Sequence, residues 1–537
     1  MERNFATLWE SIADAIGDEE AVVQGPVRRT WREFDDRAAR FAGALATAGV
    51  GPGAKVGQLL HNCPEFLETW FGALKARAIP FNVNFRYTAD EVRFLLDNAD
   101  AEVLVFHSSL ADVVAAVLER GPGLKLVVEV DDGGGHVDGG VALEGLLAAS
   151  EPAPRVERSA DDVTMLYTGG TTGMPKGVVA PVGPLLEVQL RMVPPLVGYA
   201  PVSDPAEVAA LARRARADGT PTAVLPAPPL MHATALNLGA LPALSVGGTV
   251  ALLARRTFDP AEVWDTVERE AVFALTVVGD AFARPLLAEL RDGPPRDVGS
   301  LRVVTSSGAM FSGEVKAGLL ERLAPGAAVL DFIGATEGVM GLSVATRDAP
   351  AVTGRFTPDP GVVVIGDDGA PVRPGSGEPG VIALPAIAEG YYKDEARTAA
   401  TFRELDGRRY VVPGDVATVE ANGDLVLLGR GSSCINTGGE KVFPEEVEEV
   451  LKEHPAVEDA LVFGVPDERF GQRVVAVASA ARDASGTTED VLAEARTKLA
   501  AYKLPRTVRM VDTVPRTAVG KPDYEAARRL FAAAAPA

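Results

Sequence analysis

Residues 167–177 read Tyr-Thr-Gly-Gly-Thr-Thr-Gly-Met-Pro-Lys-Gly, and their types and spacing suit one task, the grip on a polyphosphate. Glycines let backbone N–H groups crowd around an anion without an intervening Cβ, threonine hydroxyls add donors, and Lys176 brings a point charge. An apolar run at 163–166 precedes them, so a strand is expected to empty into a hydroxyl-rich loop. Taken alone, such a cluster is also the composition of an ordinary surface loop. It is not the nucleotide loop Gly-x-x-x-x-Gly-Lys-Ser/Thr, because counting from Gly170 puts Pro175 at the second glycine and Gly177 at the hydroxyl.

The run resembles the phosphate-binding signature of adenylate-forming enzymes, the superfamily of acyl-CoA synthetases, peptide-synthetase adenylation domains and luciferases. Six further stretches match that superfamily, in its order. Pro229-Leu230-Met231-His232 is similar to the segment lining the acyl pocket, Ser306-Ser307-Gly308-Ala309 to the strand-end turn beside adenine, and Gly334-Ala335-Thr336-Glu337 to the turn carrying a magnesium-linked glutamate. Pro413-Gly414-Asp415 resembles the ribose-binding aspartate. Gly429-Arg430 with Gly438-Gly439-Glu440-Lys441 resembles the hinge and the start of the C-terminal domain, and Pro515-Arg516-Thr517-Ala518-Val519-Gly520-Lys521 the segment with the catalytic lysine. On these seven matches the chain is identified as a member of the superfamily. Thr-Gly-Gly-Thr-Thr at 168–172, Ser-Ser-Gly-Ala-Met at 306–310 and Ile-Asn-Thr-Gly-Gly-Glu-Lys-Val at 435–442 look similar to its actinobacterial branch of fatty-acid and sterol-side-chain CoA ligases.

That resemblance implies an ATP-dependent, AMP-forming acyl-CoA ligase that uses Mg²⁺ and coenzyme A. Joining a carboxylate to ATP brings two anions together, so the site needs cations and N–H donors where charge builds on the α-phosphate. By resemblance Lys521 is the catalytic cation, Thr336 adds a phosphate contact, and Glu337, with Thr168, holds the metal. ATP is expected on Thr168, Gly169, Gly170, Thr171, Thr172 and Lys176, on Ser307, Gly308 and Ala309, on Asp331, Phe332 and Ile333, and on Asp415 and Arg430. Asp415 suits the ribose because an ionised carboxylate accepts from both hydroxyls. Met231, His232, Asn237, Met310, Gly334 and Met340 are assigned to the acyl pocket, although methionines and a histidine at such places also serve as plain core. Ser432 takes the hinge position, and Gly438, Gly439, Glu440 and Lys441 are expected on the CoA side once the small domain has turned. In two positions the chain departs from the superfamily's pattern. Ile333 stands where an aromatic stacks on adenine, with Phe332 on the other side of the strand, and Ser432 stands where Asp or Lys is common.

The elements that must position these residues read as α/β. Strands expected near 56–60, 80–83, 102–106, 274–278, 301–305 and 328–333 alternate with helical patterns, and Thr88 followed by Glu91 makes a capping box. Beyond Gly361 the style turns to short β segments, with a hairpin across Asn422-Gly423, and a small α+β unit follows from about Pro444. The expected fold is a large N-terminal domain of wrapped parallel sheets (1–431), with a small β-barrel-like part, then a small mobile C-terminal domain (432–537).

With 74 acidic against 52 basic residues in 537, the net charge of −22 argues against nucleic acid as a partner. The cluster Arg213, Arg214 and Arg216 reads as a solvated helix face. Cys63 and Cys434 read as free thiols, and the first twenty residues show no secretory pattern. The uncharged span 221–254 is broken by prolines and glycines, so no integral membrane segment is expected, and the protein is placed in the cytoplasm as a monomer or homodimer. Three rivals stay open: an acyl-AMP ligase handing its product to a carrier protein, an aryl or small-acid CoA ligase, and an idle acyl or nucleotide binder, which has no need of Lys521.

Overall fold

The computed structural model describes all residues except 122, 169–174, 310, 367, 431–434, 443, 482–486, 516–522 and 534–537, and the side chains at 428–430, 441, 445, 446 and 449. Strands such as Ala274–Val277 and Thr249–Leu252 are apolar at nearly every position and buried at all four. A strand with no polar face must be covered on both sides, as happens in parallel sheets wrapped by helices. Two such sheets make up the large domain. In one, Glu20–Gln24, Thr249–Leu252, Ala223–Pro226, Ala274–Val277, Val303–Ser307 and Ala328–Ala335 lie parallel in that spatial order. In the other, Val163–Thr168, Ile79–Asn82, Lys55–Leu59, Ala101–His107, Leu126–Val130 and Val141–Ala142 do the same. Ligands of such folds sit at the carboxyl ends of the strands where the order reverses.

From Gly338 onward the first sheet turns antiparallel through Gly338–Thr346 and Arg355–Pro358 and curls into the short strands of 363–430. The Asn422-Gly423 turn joins Asp415–Val419 to Leu425–Arg430 as expected, with Gly423 at φ 93°. A third sheet, built on the antiparallel pair Val457–Asp467 and Gly471–Ala480, is covered by Pro444–Lys452 and Thr488–Lys498 and forms the small C-terminal domain.

Two expectations change. The first twenty residues were read only for the lack of a leader, yet Phe5–Ile16 is a helix whose Phe5, Leu8, Trp9, Ile12 and Ile16 are buried in the largest core cluster. Arg216 is not on a solvated face. Its guanidinium reaches the carbonyl of Gly247 at 3.1 Å and the Thr249 hydroxyl at 3.3 Å, tying its helix to a sheet strand, while Arg213 and Arg214 stay exposed. Cys63 is a buried free thiol that burial pushes up; Cys434 lies outside the described residues. The Thr88 box forms, with Thr88 N donating to the Glu91 carboxylate at 2.9 Å. Among the described residues no helix is long and apolar enough to cross a membrane.

Candidate active site

The carboxyl ends of both parallel sheets open onto one cavity of about 520 Å³. Asn82 and Thr168 reach it from one sheet, and Val278, Ser307 and Thr336 from the segments that follow strands of the other. Val163–Thr168 and Lys176–Pro181 pair antiparallel, with Thr168 opposite Lys176 and on the cavity wall. Gly169, Gly170, Thr171 and Thr172 lie outside the described residues.

Thr336 and Glu337 occupy the turn between Ala328–Ala335 and Gly338–Thr346. The turn is tight, since a Cβ on Gly334 would lie 2.9 Å from the carbonyl oxygen of Gly338. Glu337 is buried and lines the cavity. Lys176 Nζ donates to Glu337 Oε1 and to the Tyr391 hydroxyl, each at 2.8 Å, and the Tyr391 hydroxyl donates to the same Oε1 at 2.5 Å. Burial pushes the Glu337 carboxyl up, but the charge and hydrogen bond of Lys176 together with the Tyr391 hydroxyl outweigh it and hold it at about 2. Glu337 is therefore ionised at neutral pH, paired with the Lys176 ammonium. One ionised carboxylate with a nearby threonine hydroxyl suits Mg²⁺, which keeps waters and takes its other oxygens from phosphates. A closed protein cage is absent: among the described residues no three His, Cys, Asp or Glu side chains converge as a metal site.

Met231, His232, Asn237 and Gly334 all line the cavity, as do Ser307, Gly308, Phe332 and Ile333. Phe332 and Ile333 pack into different core clusters, in keeping with opposite faces of a strand. Met310 lies outside the described residues. Lys176, Ala309, Asp331, Met340 and Asp415 are assigned residues that are not on the wall. Asp331 alternates to the other face of its strand, where Lys316 Nζ binds it at 2.7 Å and burial raises its carboxyl to about 6. Met340 is fully buried in the core under the antiparallel strands, and Ala309 sits in the turn behind Gly308. Asp415 opens its strand half-buried, in register with Arg430, and is also not among the lining residues. The Arg430 side chain, Ser432 and Lys521 lie outside the described residues.

Sequence reasoning missed three supports. Asn82 Nδ2 donates to the carbonyls of Tyr167 at 3.0 Å and Met231 at 2.6 Å while its Oδ1 accepts from Tyr167 N at 2.7 Å, so one buried amide ties the hairpin to the 229–232 segment. Asn62 holds the same segment through Leu230 N at 2.6 Å and the Pro228 carbonyl at 3.0 Å. Tyr391 is the third. The signal for it was weak, only that a tyrosine on a buried strand needs a partner for its hydroxyl.

The small domain closes one side of the cavity. Gly438, Gly439 and Glu440 line it, and Glu440 pairs with Arg86 and lies 3.2 Å from His232 Nε2. Burial pushes the Glu440 carboxyl up, and His232, Arg86 and Lys503 bring it below the usual range. The Lys441 side chain is outside the described residues.

A cavity at the strand ends, with Thr168, Thr336 and Glu337 on its wall and the small domain closing one side, suits an enzyme that activates through a nucleotide, and the chain belongs to the AMP-binding enzyme family. That family matches residues 9–392, and the AMP-binding enzyme C-terminal domain matches 446–521. Within it, the chain is similar to the 3-oxocholest-4-en-26-oate–CoA ligase of Rhodococcus rhodochrous, 41% identical over 541 residues that cover 98% of this chain and 96% of that one. It is 42% identical to a medium/long-chain-fatty-acid–CoA/3-oxocholest-4-en-26-oate–CoA ligase of Mycolicibacterium smegmatis, with coverage of 98% and 96%. Among solved structures, an amide bond synthetase from Marinactinospora thermotolerans matches with a TM-score of 0.77 and 25% identity, covering 98% of this chain and 99% of that one.

Proposed function

We propose that the protein is an ATP-dependent, AMP-forming acyl-CoA ligase for a hydrophobic carboxylic acid, either a medium or long fatty acid or a bulky alicyclic one. The observation that carries this reading is the continuity of the cavity. One space joins the Glu337 end, an apolar wall along the helix Val182–Leu196, and the small-domain face at Gly438–Glu440. Leu185, Val188, Met192 and Leu196 line that wall and span roughly 16 Å at the helical rise. Such a groove suits an extended or polycyclic acid better than a small aryl one. The full-length relatives named for fatty-acid and sterol-side-chain substrates support the same choice.

In the reaction proposed, a carboxylate oxygen attacks the α-phosphorus of ATP, pyrophosphate leaves, and the CoA thiol then attacks the acyl carbon and expels AMP. Residues 168–172 and Lys176 grip the phosphates, Thr336 positions them, and Lys521 meets the charge that builds on the α-phosphate. Glu337 and Thr168 hold Mg²⁺, which supplies charge neutralisation at the phosphates when bound. With Lys521 carried by the small domain (432–537) and the acyl and ATP sites by residues 1–431, the two half-reactions call for two settings about Ser432. Gly438–Glu440 at the cavity wall corresponds to the thioester-forming one. We place the reaction in the cytoplasm.

Mass spectrometry on enzyme, ATP, Mg²⁺ and a panel of acids, with and without CoA, tests this. Acyl-CoA plus AMP is the expected product; an acyl-adenylate that persists with CoA present moves the reading to carrier-protein loading, and no adenylate from any acid overturns it. Two variants probe its parts. Asp415→Ala is expected to raise the KM for ATP about tenfold, by the worth of a charge-assisted hydrogen bond; an unchanged ATP dependence removes Asp415 from the ribose. Gly439 has φ +86°, and a Cβ there would lie 3.1 Å from Val278 Cγ1. Gly439→Leu should therefore slow thioester formation about tenfold or more with little effect on adenylation, as read by single-turnover transfer against ATP–pyrophosphate exchange.

A further inference from the structure

The segment that follows the helix Thr488–Lys498 is the deepest insertion of the small domain into the large one. Ala500 is buried within a core cluster of the large domain that includes Leu59, Phe81 and Tyr167. Asn84 Nδ2 donates to the Tyr502 hydroxyl at 3.3 Å. Beside them on the cavity wall is Lys503, 3% exposed, with its Nζ 2.7 Å from Glu91 Oε1 and 4.9 Å from the centre of the Tyr87 ring. A buried ammonium is stable only when paired, and pairing across two domains makes the pair a condition on how they sit. Glu91 is fixed independently, because its other oxygen accepts from Thr88 N in the capping box.

Resting on the ligase reading above, we propose that Glu91 and Lys503 are positioning residues for thioester formation: their buried ion pair latches the small domain in the setting that puts Gly438–Glu440 on the cavity wall. Adenylation, which needs Lys521 in place of that face, requires the pair to open. The latch biases the equilibrium between settings, so it changes the two half-reactions unequally.

Glu91→Gln is the clean variant, since glutamine keeps the capping box and deletes the charge. With the full chain, we expect single-turnover transfer from preformed acyl-adenylate to CoA to fall about tenfold or more, and ATP–pyrophosphate exchange without CoA to stay within about twofold or rise. Adding Lys503→Met, which removes the buried ammonium that the glutamine no longer neutralises, should restore part of the transfer rate. Amide hydrogen exchange across 499–504 reads docking without turnover and should quicken in Glu91→Gln. Equal losses in both half-reactions, an unchanged transfer rate, or unchanged exchange at 499–504 overturns the latch. Quickened exchange at 499–504 in a protein whose wild type makes adenylate but no thioester supports the latch as a docking device and overturns the ligase reading instead.

Discussion

Replacing Lys521 with alanine is expected to lower the rate of acyl-adenylate formation by about 10² to 10³ while leaving the fold and ATP affinity close to wild type. The reaction joins two anions, and the charge that matters develops only as the carboxylate oxygen closes on the α-phosphorus. A cation aimed there stabilises the transition state more than the ground state, so its loss appears in kcat rather than in KM. The same variant, given preformed acyl-adenylate, should pass the acyl group to CoA at a near-normal rate, because the small domain presents Gly438–Glu440 and not Lys521 in that step. ATP–pyrophosphate exchange and single-turnover transfer separate the two. Normal exchange in Lys521→Ala removes the residue from catalysis.

Glu337→Gln is expected to cut adenylation by about 10² and to raise the Mg²⁺ concentration needed for half-maximal rate. The buried carboxylate faces the phosphate end of the cavity, and Lys176 and Tyr391 keep it ionised. Glutamine keeps the shape but removes the charge that suits the metal and that Lys176 is paired with. A second signature follows from linkage. The folded-state value of about 2 lies below the ordinary 4.5, so the group stabilises the fold fully above pH 4.5 and loses that contribution as pH falls toward 2. The contribution is about 3 kcal/mol. Urea midpoints measured from pH 6 downward should fall less steeply in Glu337→Gln than in wild type. Parallel profiles would show that the Lys176–Glu337–Tyr391 contact does not hold the carboxyl down.

Much of this site was legible because chemistry imposes local sequence. A loop around phosphates needs glycines and hydroxyls together, so 167–177 stands out by composition, whereas 334–337 is legible only through its resemblance to the adenylate-forming superfamily. Alternation of apolar runs with capped helices likewise declared the α/β fold, and Asn422-Gly423 declared its hairpin. Asp331 and Met340 show the limit of reading by motif. Both lie in or beside matching stretches, yet strand alternation turns Asp331 to Lys316 and core packing takes Met340 inside.

By itself, then, the sequence determined the class of fold and the order of the segments that match the family, because each of these is encoded within a dozen consecutive residues. Only the tertiary structure decided what holds those groups and which way they face. Asn82 bridges residues 85 and 149 positions away, Lys176 finds Glu337 across 161, and Lys503 finds Glu91 across 412. No periodicity or propensity carries information over such separations. These partners are selected by the packing of whole sheets and domains, where a buried charge or amide must meet a complement or cost the fold its stability.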